Sequence, residues 1–289
     1  MDNAAISFRK MNGLGNDFVV LDGRDGDLRL NTEMVAAIAD RNSGIGCDQL
    51  IVLEPSNRAD LFMRIYNADG SEVAACGNAT RCVAAIAAVE AGKLDVTIET
   101  EAGLLAAKVG ADGMVSVDMG EPRLAWDQIP LAEPFHDTKR IELQLGPIDD
   151  PVLHSPAVAN IGNPHCIFFV EDAAAHDLSR FGPMVENYPL FPERANVSLA
   201  EVIGPDALKL ITWERGAGLT KACGTAACAA AVSAVRRKLT GRKVTVSLPG
   251  GDLVIEWREA DNHILMTGPY ALDYEGVLPD ELVKAKASA

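Results

Sequence analysis

The pentapeptide Ala75-Cys76-Gly77-Asn78-Ala79 returns later in the chain as Ala222-Cys223-Gly224-Thr225-Ala226, and Gly15-Asn16-Asp17-Phe18 returns as Gly162-Asn163-Pro164-His165. One offset of 147 residues relates both echoes, 16 to 163 and 76 to 223, and it also carries Gln49 onto Asn196 and Asn67 onto Glu214. Four matched polar stations with no insertion between them imply two similar halves, and a repeat constrains architecture more than any other feature of a sequence. A chain of 289 residues is long enough for two domains that each bury a core.

Each half has the same order of elements. Period-two apolar stretches at residues 18–21, 61–65 and 208–211 predict strands. An alanine-rich run follows each Ala-Cys-Gly motif, from Cys76 to Glu90 and from Cys223 to Leu239. Such runs favour helix, and each is expected to close near a glycine, Gly92 or Gly241. Two strand-like stretches then turn near Gly103 in the first half and at Gly250-Gly251 in the second. The expected fold is α/β (α+β), with each half an antiparallel sheet wrapped around one central hydrophobic helix. Residues 123–134, where proline and polar residues interleave, are the expected crossing between halves. The domains are placed at 1–123, joined by the tail 269–289, and at 124–268.

The six cysteines lack the paired spacing of a zinc site and sit in a chain with no secretory signal, so neither a metal nor a disulfide framework explains them. Cys76 and Cys223 each stand where a helix should begin, followed by glycine. A helix N-terminus carries unpaired N–H groups and partial positive charge, which lower a thiol's pKa and cradle a carboxylate. A pair of such thiols suits proton exchange at a carbon, one acting as base and the other as acid. The bland reading of a lone cysteine, a small buried residue, applies to Cys82, Cys228, Cys47 and Cys166. Asn16, Asn163 and Asn67 could serve as turn residues, Gln49 as a strand end, His165 as a structural histidine, and Glu214-Arg215 as a surface pair.

A formal net charge of −15 leaves no basic excess to neutralise phosphates, which argues against nucleic acid. No apolar run approaches the ~20 residues needed to span a bilayer, and MDNAAISFRK has no signal-peptide core. A cytoplasmic location with no membrane association is therefore expected.

The motifs MNGLGNDFVVLD at 11–22, GIGCDQL at 44–50, YNADGSEVAACGNATRC at 66–82, GNPHC at 162–166, ERANV at 193–197 and WERGAGLTKACGTAAC at 213–228 resemble those of the diaminopimelate epimerase family across essentially the whole chain. That resemblance implies a cofactor-independent, metal-free, two-base interconversion of LL- and meso-diaminopimelate in the pathway to lysine and peptidoglycan precursors. Cys76 and Cys223 would be its acid/base pair. Asn16, Gln49, Asn67, Asn163, Asn196, Glu214 and Arg215 would hold the substrate, and Gly77-Asn78 and Gly224-Thr225 would grip the reacting carboxylate. His165 and Glu214 would tune the thiols, and Tyr274 would lie at a homodimer interface. The chain departs from the family pattern at Ala79, Ala226, Leu219, Lys221 and Cys47, none a matched station. Two other readings remain open at this level: a two-cysteine racemase of the proline or histidine type, and a non-enzymatic dithiol redox or binding protein.

Overall fold

The computed structural model describes residues 6–26 and 28–283. The chain divides into two compact units, one running to Val117 and resuming at Gly268, the other spanning Asp118–Thr267. The expected ends of the first domain, residues 1–5 and 284–289, lie outside the described residues.

The first unit opens with β1 (Ser7–Gly13), β2 (Asn16–Asp22), α1 (Thr32–Ala39), β3 (Gln49–Glu54), β4 (Leu61–Asn67) and β5 (Glu72–Val73). It continues with α2 (Gly77–Ala91), β6 (Asp95–Thr100), β7 (Gly103–Val109) and β8 (Val115–Asp118). The alanine-rich α2 packs against β1, β6 and β7, with Ala79 through Ala88 all buried. Alanine forms helix without losing side-chain entropy, and its small size lets strands approach closely. Gly92 ends α2 in the left-handed region at φ 62°, where the Lys93 amide donates to the Ala88 carbonyl and closes the end as a Schellman turn. Arg81, fully buried within this helix, donates from Nε to the Pro269 carbonyl at 3.1 Å. That contact fastens α2 to the returning tail.

The second unit contains β9 (Gln144–Leu145), β10 (Leu153–His154), β11 (Ala157–Asn160), β12 (Pro164–Val170), α3 (Leu178–Glu186), β13 (Asn196–Gly204) and β14 (Ala207–Glu214). Then come β15 (Gly218–Leu219), α4 (Gly224–Arg236), β16 (Lys243–Leu248), β17 (Gly251–Trp257) and β18 (Ile264–Gly268). Helix α4 lies against β11, β12, β13, β14, β16 and β17. A second core, including Leu178, Val185, Phe168 and Leu199, fills the space between α3 and the sheet. The chain then rejoins the first unit through β19 (Ala271–Val277), antiparallel to β1, and α5 (Asp280–Val283).

The halves repeat each other rung by rung. Phe18 faces Gln49 as His165 faces Asn196, and Leu50 faces Tyr66 as Val197 faces Trp213. Tyr66 faces Glu72 as Trp213 faces Leu219. All these pairs keep the 147-residue offset. Beyond the helices it becomes 148, since Val96 faces Ala107 as Val244 faces Ile255.

Three sequence expectations change. Most strand pairs are antiparallel, but β2 with β3, β4 with β6, β12 with β13 and β14 with β16 are parallel, so each sheet is mixed. Residues 123–134 are not the crossing. They belong to the second unit, where Ile129 and Leu131 are buried in its core with Trp126 packed against them; these apolar residues were hidden among the prolines. Helix α4 ends at Arg236, short of Gly241. Lys238 takes the left-handed conformation at φ 60°, and the Lys238 and Leu239 amides donate to Val235 and Ala234. A lysine here forms the Schellman turn that Gly92 forms in the first half.

Candidate active site

Both cysteines stand one residue before their helices. Cys76 (φ −147°, ψ 108°) and Cys223 (φ −126°, ψ 108°) are the extended N-caps of α2 and α4 rather than first helical residues. Their carbonyls accept the opening helical bonds, from Thr80 at 2.9 Å and Ala227 at 3.1 Å. The sulfurs are thus placed at the positive ends of the two helices, where the Ala226 amide in the first turn of α4 bonds the Cys223 sulfur.

In the first unit Asn16 opens β2, Gln49 opens β3 and Asn67 ends β4. The Gln49–Asn67 register pair places these two side chains together, Gln49 Nε2 donating to Asn67 Oδ1 at 3.4 Å. Asn67 Nδ2 donates to Ser71 Oγ at 3.1 Å. Gln49 Oε1 is buried and meets no donor among the described residues. Asn16 reaches the cysteine: its Oδ1 lies 3.9 Å from Cys76 Sγ and accepts from Asn78 Nδ2 at 3.2 Å.

In the second unit Cys223 is buried, and its sulfur lies 3.5 Å from the Thr225 hydroxyl. Burial pushes its thiol well above the ordinary range. The Glu214 carboxylate adds to the rise by charge and hydrogen bonding, while Thr225 and the Ala226 amide oppose it. The expectation of a lowered thiol pKa therefore fails here, because loss of solvent outweighs the helix end. Glu214 is oriented by the Thr220 hydroxyl, which donates to Oε1 at 2.6 Å. Asn196 is occupied with backbone, donating to the Pro164 carbonyl at 3.0 Å and accepting from the Arg215 amide at 3.0 Å. The Arg215 guanidinium donates to the Glu193 carbonyl at 2.7 Å. His165 is fully buried, with Nε2 2.7 Å from Asn163 Oδ1. Since that partner only accepts, Nε2 carries the proton. Burial, then the Arg215 charge, drives the imidazole pKa down to about 3, so the ring is neutral.

Glu186, Thr220 and Asp48 are site-shaping residues that the sequence reading missed. Glu186 is buried at the end of α3, accepting from Trp213 Nε1 at 2.7 Å and the Gly216 amide at 2.9 Å. It also pairs with Arg194 at 3.1 Å, pinning the loop that carries Glu214 and Arg215. The duplication could not reveal Asp48, because the offset lands on Ala195. Tyr274 lies on β19, half-exposed, with its ring edge-on to Phe8. Among the described residues no group of three or more His, Cys, Asp or Glu side chains is arranged to hold a metal ion, and no helix is long and apolar enough to cross a membrane.

Comparison with known proteins agrees at two levels. In structure, the chain is similar to a hydroxyproline epimerase of Agrobacterium vitis, with a TM-score of 0.68 at 16% identity, covering 96% of this chain and 94% of that one. A phenazine biosynthesis protein of the PhzF family from Bacillus anthracis has the same TM-score, 0.68, at 17% identity, with 95% and 99% covered. These likenesses establish a shared fold. In sequence, the chain is 54% identical over 284 residues to the diaminopimelate epimerase of Nitrobacter hamburgensis, covering 97% of this chain and 98% of the relative. It is 53% identical over 273 residues to that of Brucella anthropi, covering 93% and 90%. The model of the diaminopimelate epimerase family matches residues 8–125 and 157–272, so that both halves are accounted for and the chain belongs to the diaminopimelate epimerase family.

Proposed function

We propose that this protein is a cofactor-independent diaminopimelate epimerase, interconverting the LL and meso isomers in the cytoplasm on the way to lysine and peptidoglycan precursors. The observation that carries this reading is the near-full-length identity of 54% to a diaminopimelate epimerase. The hydroxyproline epimerase of the same fold shares only 16%. In this mechanism one cysteine, as thiolate, takes the α-proton and becomes a thiol. The other, as thiol, delivers its proton to the opposite face of the same carbon, and the configuration inverts. The protonated state favoured for Cys223 by burial and by Glu214 suits the donor at the start of a turnover. Charge released onto the substrate carboxylate would be held by the amides at Gly77-Asn78 and Gly224-Thr225.

Arg215 is assigned to the distal carboxylate, which a planar guanidinium pairs with bidentately. Asn16, Asn67, Asn163 and Asn196 share the remaining polar groups, and the donor-seeking Oε1 of Gln49 suits a substrate ammonium. His165, neutral and buried, orders Asn163. A homodimer is also proposed, with Tyr274 at its interface. Strand β19 leaves Leu272, Tyr274 and Val277 about half exposed (50%, 49% and 55%), which is costly to leave in water on one strand.

Deuterium incorporation from heavy water tests the assignment. Diaminopimelate should exchange its α-proton without added pyridoxal phosphate, and lysine, lacking the distal carboxylate, should exchange at least about 30-fold more slowly, the loss of one charge-assisted contact in a closed site being roughly 2–5 kcal/mol. Cys76→Ala and Cys223→Ala should each abolish epimerisation, while Cys82→Ala should not. Equal exchange in lysine and diaminopimelate would move the assignment to a general amino-acid racemase.

A further inference from the structure

We propose that Asp48 is a positioning residue that fixes which way round the Asn16 amide sits, so that an acceptor and never a donor faces Cys76. This rests on the reading of Cys76 as a reacting thiol. Asn16 Nδ2 donates to Asp48 Oδ2 at 2.9 Å, and a carboxylate in an ion pair can only accept. The amide is therefore obliged to turn its NH2 toward Asp48 and its oxygen the other way, toward Cys76 Sγ at 3.9 Å and Asn78 Nδ2 at 3.2 Å. An amide's two ends are nearly equal in shape, so only its partners select between them.

Asp48 is itself held in place. Its Oδ2 also accepts the Asp17 amide at 3.0 Å, and its Oδ1 accepts from Arg41 at 2.7 Å. Arg41 bridges on to Asp17 through bonds of 3.0 and 2.7 Å, and Lys10 pairs with Asp17 at 2.6 Å. The Asp48 amide in turn donates to Asp17 Oδ1 at 3.0 Å. The charges packed around the Asn16 amide are thus Asp48, Asp17 and Arg41, with Lys10 from β1 and the buried Arg81 one turn along α2 from Asn78. Nothing equivalent stands in the second half. The offset puts Ala195 at the place of Asp48 and Pro164 at that of Asp17, and Asn163 is oriented instead by His165. The two thiols are therefore addressed differently, Cys76 by an amide oxygen held from behind and Cys223 by a hydroxyl and Glu214.

Two variants separate this role from a merely structural one. In Asp48→Leu no acceptor is left behind Asn16, and its amide is free to turn its NH2 to the sulfur. That favours the thiolate, so the midpoint of the pH profile for iodoacetamide alkylation of Cys76, followed by peptide mass spectrometry without substrate, should fall by about one pH unit. In the double variant Asn16→Asp/Asp48→Asn a carboxylate faces Cys76, and the midpoint should rise above wild type. An unchanged midpoint in Asp48→Leu, or shifts of the same sign in both variants, would overturn the proposal. Should Asp48→Leu fail to fold, the double variant decides alone, a rise supporting the proposal and no rise overturning it. The profile needs no substrate, so a wild-type protein without α-proton exchange would undo the epimerase reading and leave this result standing.

Discussion

Cys223, a potential anion, is buried and in contact with the half-buried Glu214 carboxylate. Glu214→Gln removes that charge, so the thiolate becomes easier to form and Cys223 should be alkylated about three- to tenfold faster at pH 8 in the free protein, even as epimerisation falls. Competition alkylation with isotopic labels, mapped to the Cys223 peptide, checks this; an unchanged rate would show that Glu214 does not press on the sulfur. The duplication set Cys76, Cys223 and their polar stations at matched places in the sequence, and the folded halves keep those places, each cysteine the N-cap of its helix. Asp48, Thr220 and Glu186 were not legible, because each serves one half only and acts through a neighbour rather than through a motif. The direction of the Cys223 shift was misjudged for a related reason: a sequence displays the helix end that lowers a thiol's pKa but not the depth of burial that raises it.

Helix α3 shows how packing overrides local preference. Gly182-Pro183 lies in its middle and reads as a turn in isolation, yet the segment is helical, started by Asp177, whose side chain accepts the Ser179 amide at 3.1 Å. The glycine is there for space. A Cβ at Gly182 would lie 2.4 Å from the Trp213 ring, and Trp213 is held through its indole N–H by Glu186. Gly182→Ala gains about 1 kcal/mol of helix propensity but must displace that ring, an overpacking cost of about 1–3 kcal/mol. Net destabilisation is expected, read as a lower urea midpoint together with reduced epimerisation, since the ring sits on the strand leading to Glu214. A variant as stable as wild type would refute the close approach. The alanine-rich α2 and α4 were readable because burial and propensity agree in them. Strand direction was not readable: the runs Leu50–Leu53 and Val197–Ala200 are buried on both faces, a mark of strands that can lie parallel to a neighbour, but periodicity alone does not say to which.

The buried titratable groups set the pH range over which the folded chain is stable. Burial raises the Cys47 thiol to about 11 and Cys82 to about 12, and moves Cys166 and Cys223 upward as well. Each raised thiol keeps its proton in the folded state after the unfolded chain has lost it. The thiols' contribution is therefore full below pH 9 and declines above it, up to about pH 11 for Cys47 and about 12 for Cys82, by about 1.4 kcal/mol per pH unit for each thiol. His165 acts in the opposite sense. Its depressed pKa, about 3, makes the unfolded chain the better proton acceptor below pH 6.5, and stability falls by about 2 kcal/mol between pH 6.5 and 5. Urea titrations across pH 5–10 should show a plateau with two shoulders, and His165→Gln should remove the acid shoulder. Persistence of that shoulder in the variant would assign it to other groups. The two-unit plan behind these cores was legible from the repeat; the boundary at Val117 was not, because the apolar residues of the 123–134 stretch were masked by its prolines.

The return of β19 to β1 has a mechanical consequence. Ser7 faces Val277, Phe8 faces Gly276, and the ladder runs inward to Asn12 and Ala271, with the Leu278 amide bonded to the Ile6 carbonyl beyond its outer end. Both strands therefore leave the ladder at the same end. Force applied between the two ends of the chain loads one rung at a time, like a zip, instead of all rungs together. The second unit is inserted between Val117 and Gly268, so it comes under tension only once β19 has left β1. In an optical trap α5 should first leave α1, followed by a low-force peeling of β19 from β1. A disulfide engineered across the outermost rung, Ser7→Cys with Val277→Cys, should abolish that event; its survival with the bridge formed would show that the molecule yields elsewhere.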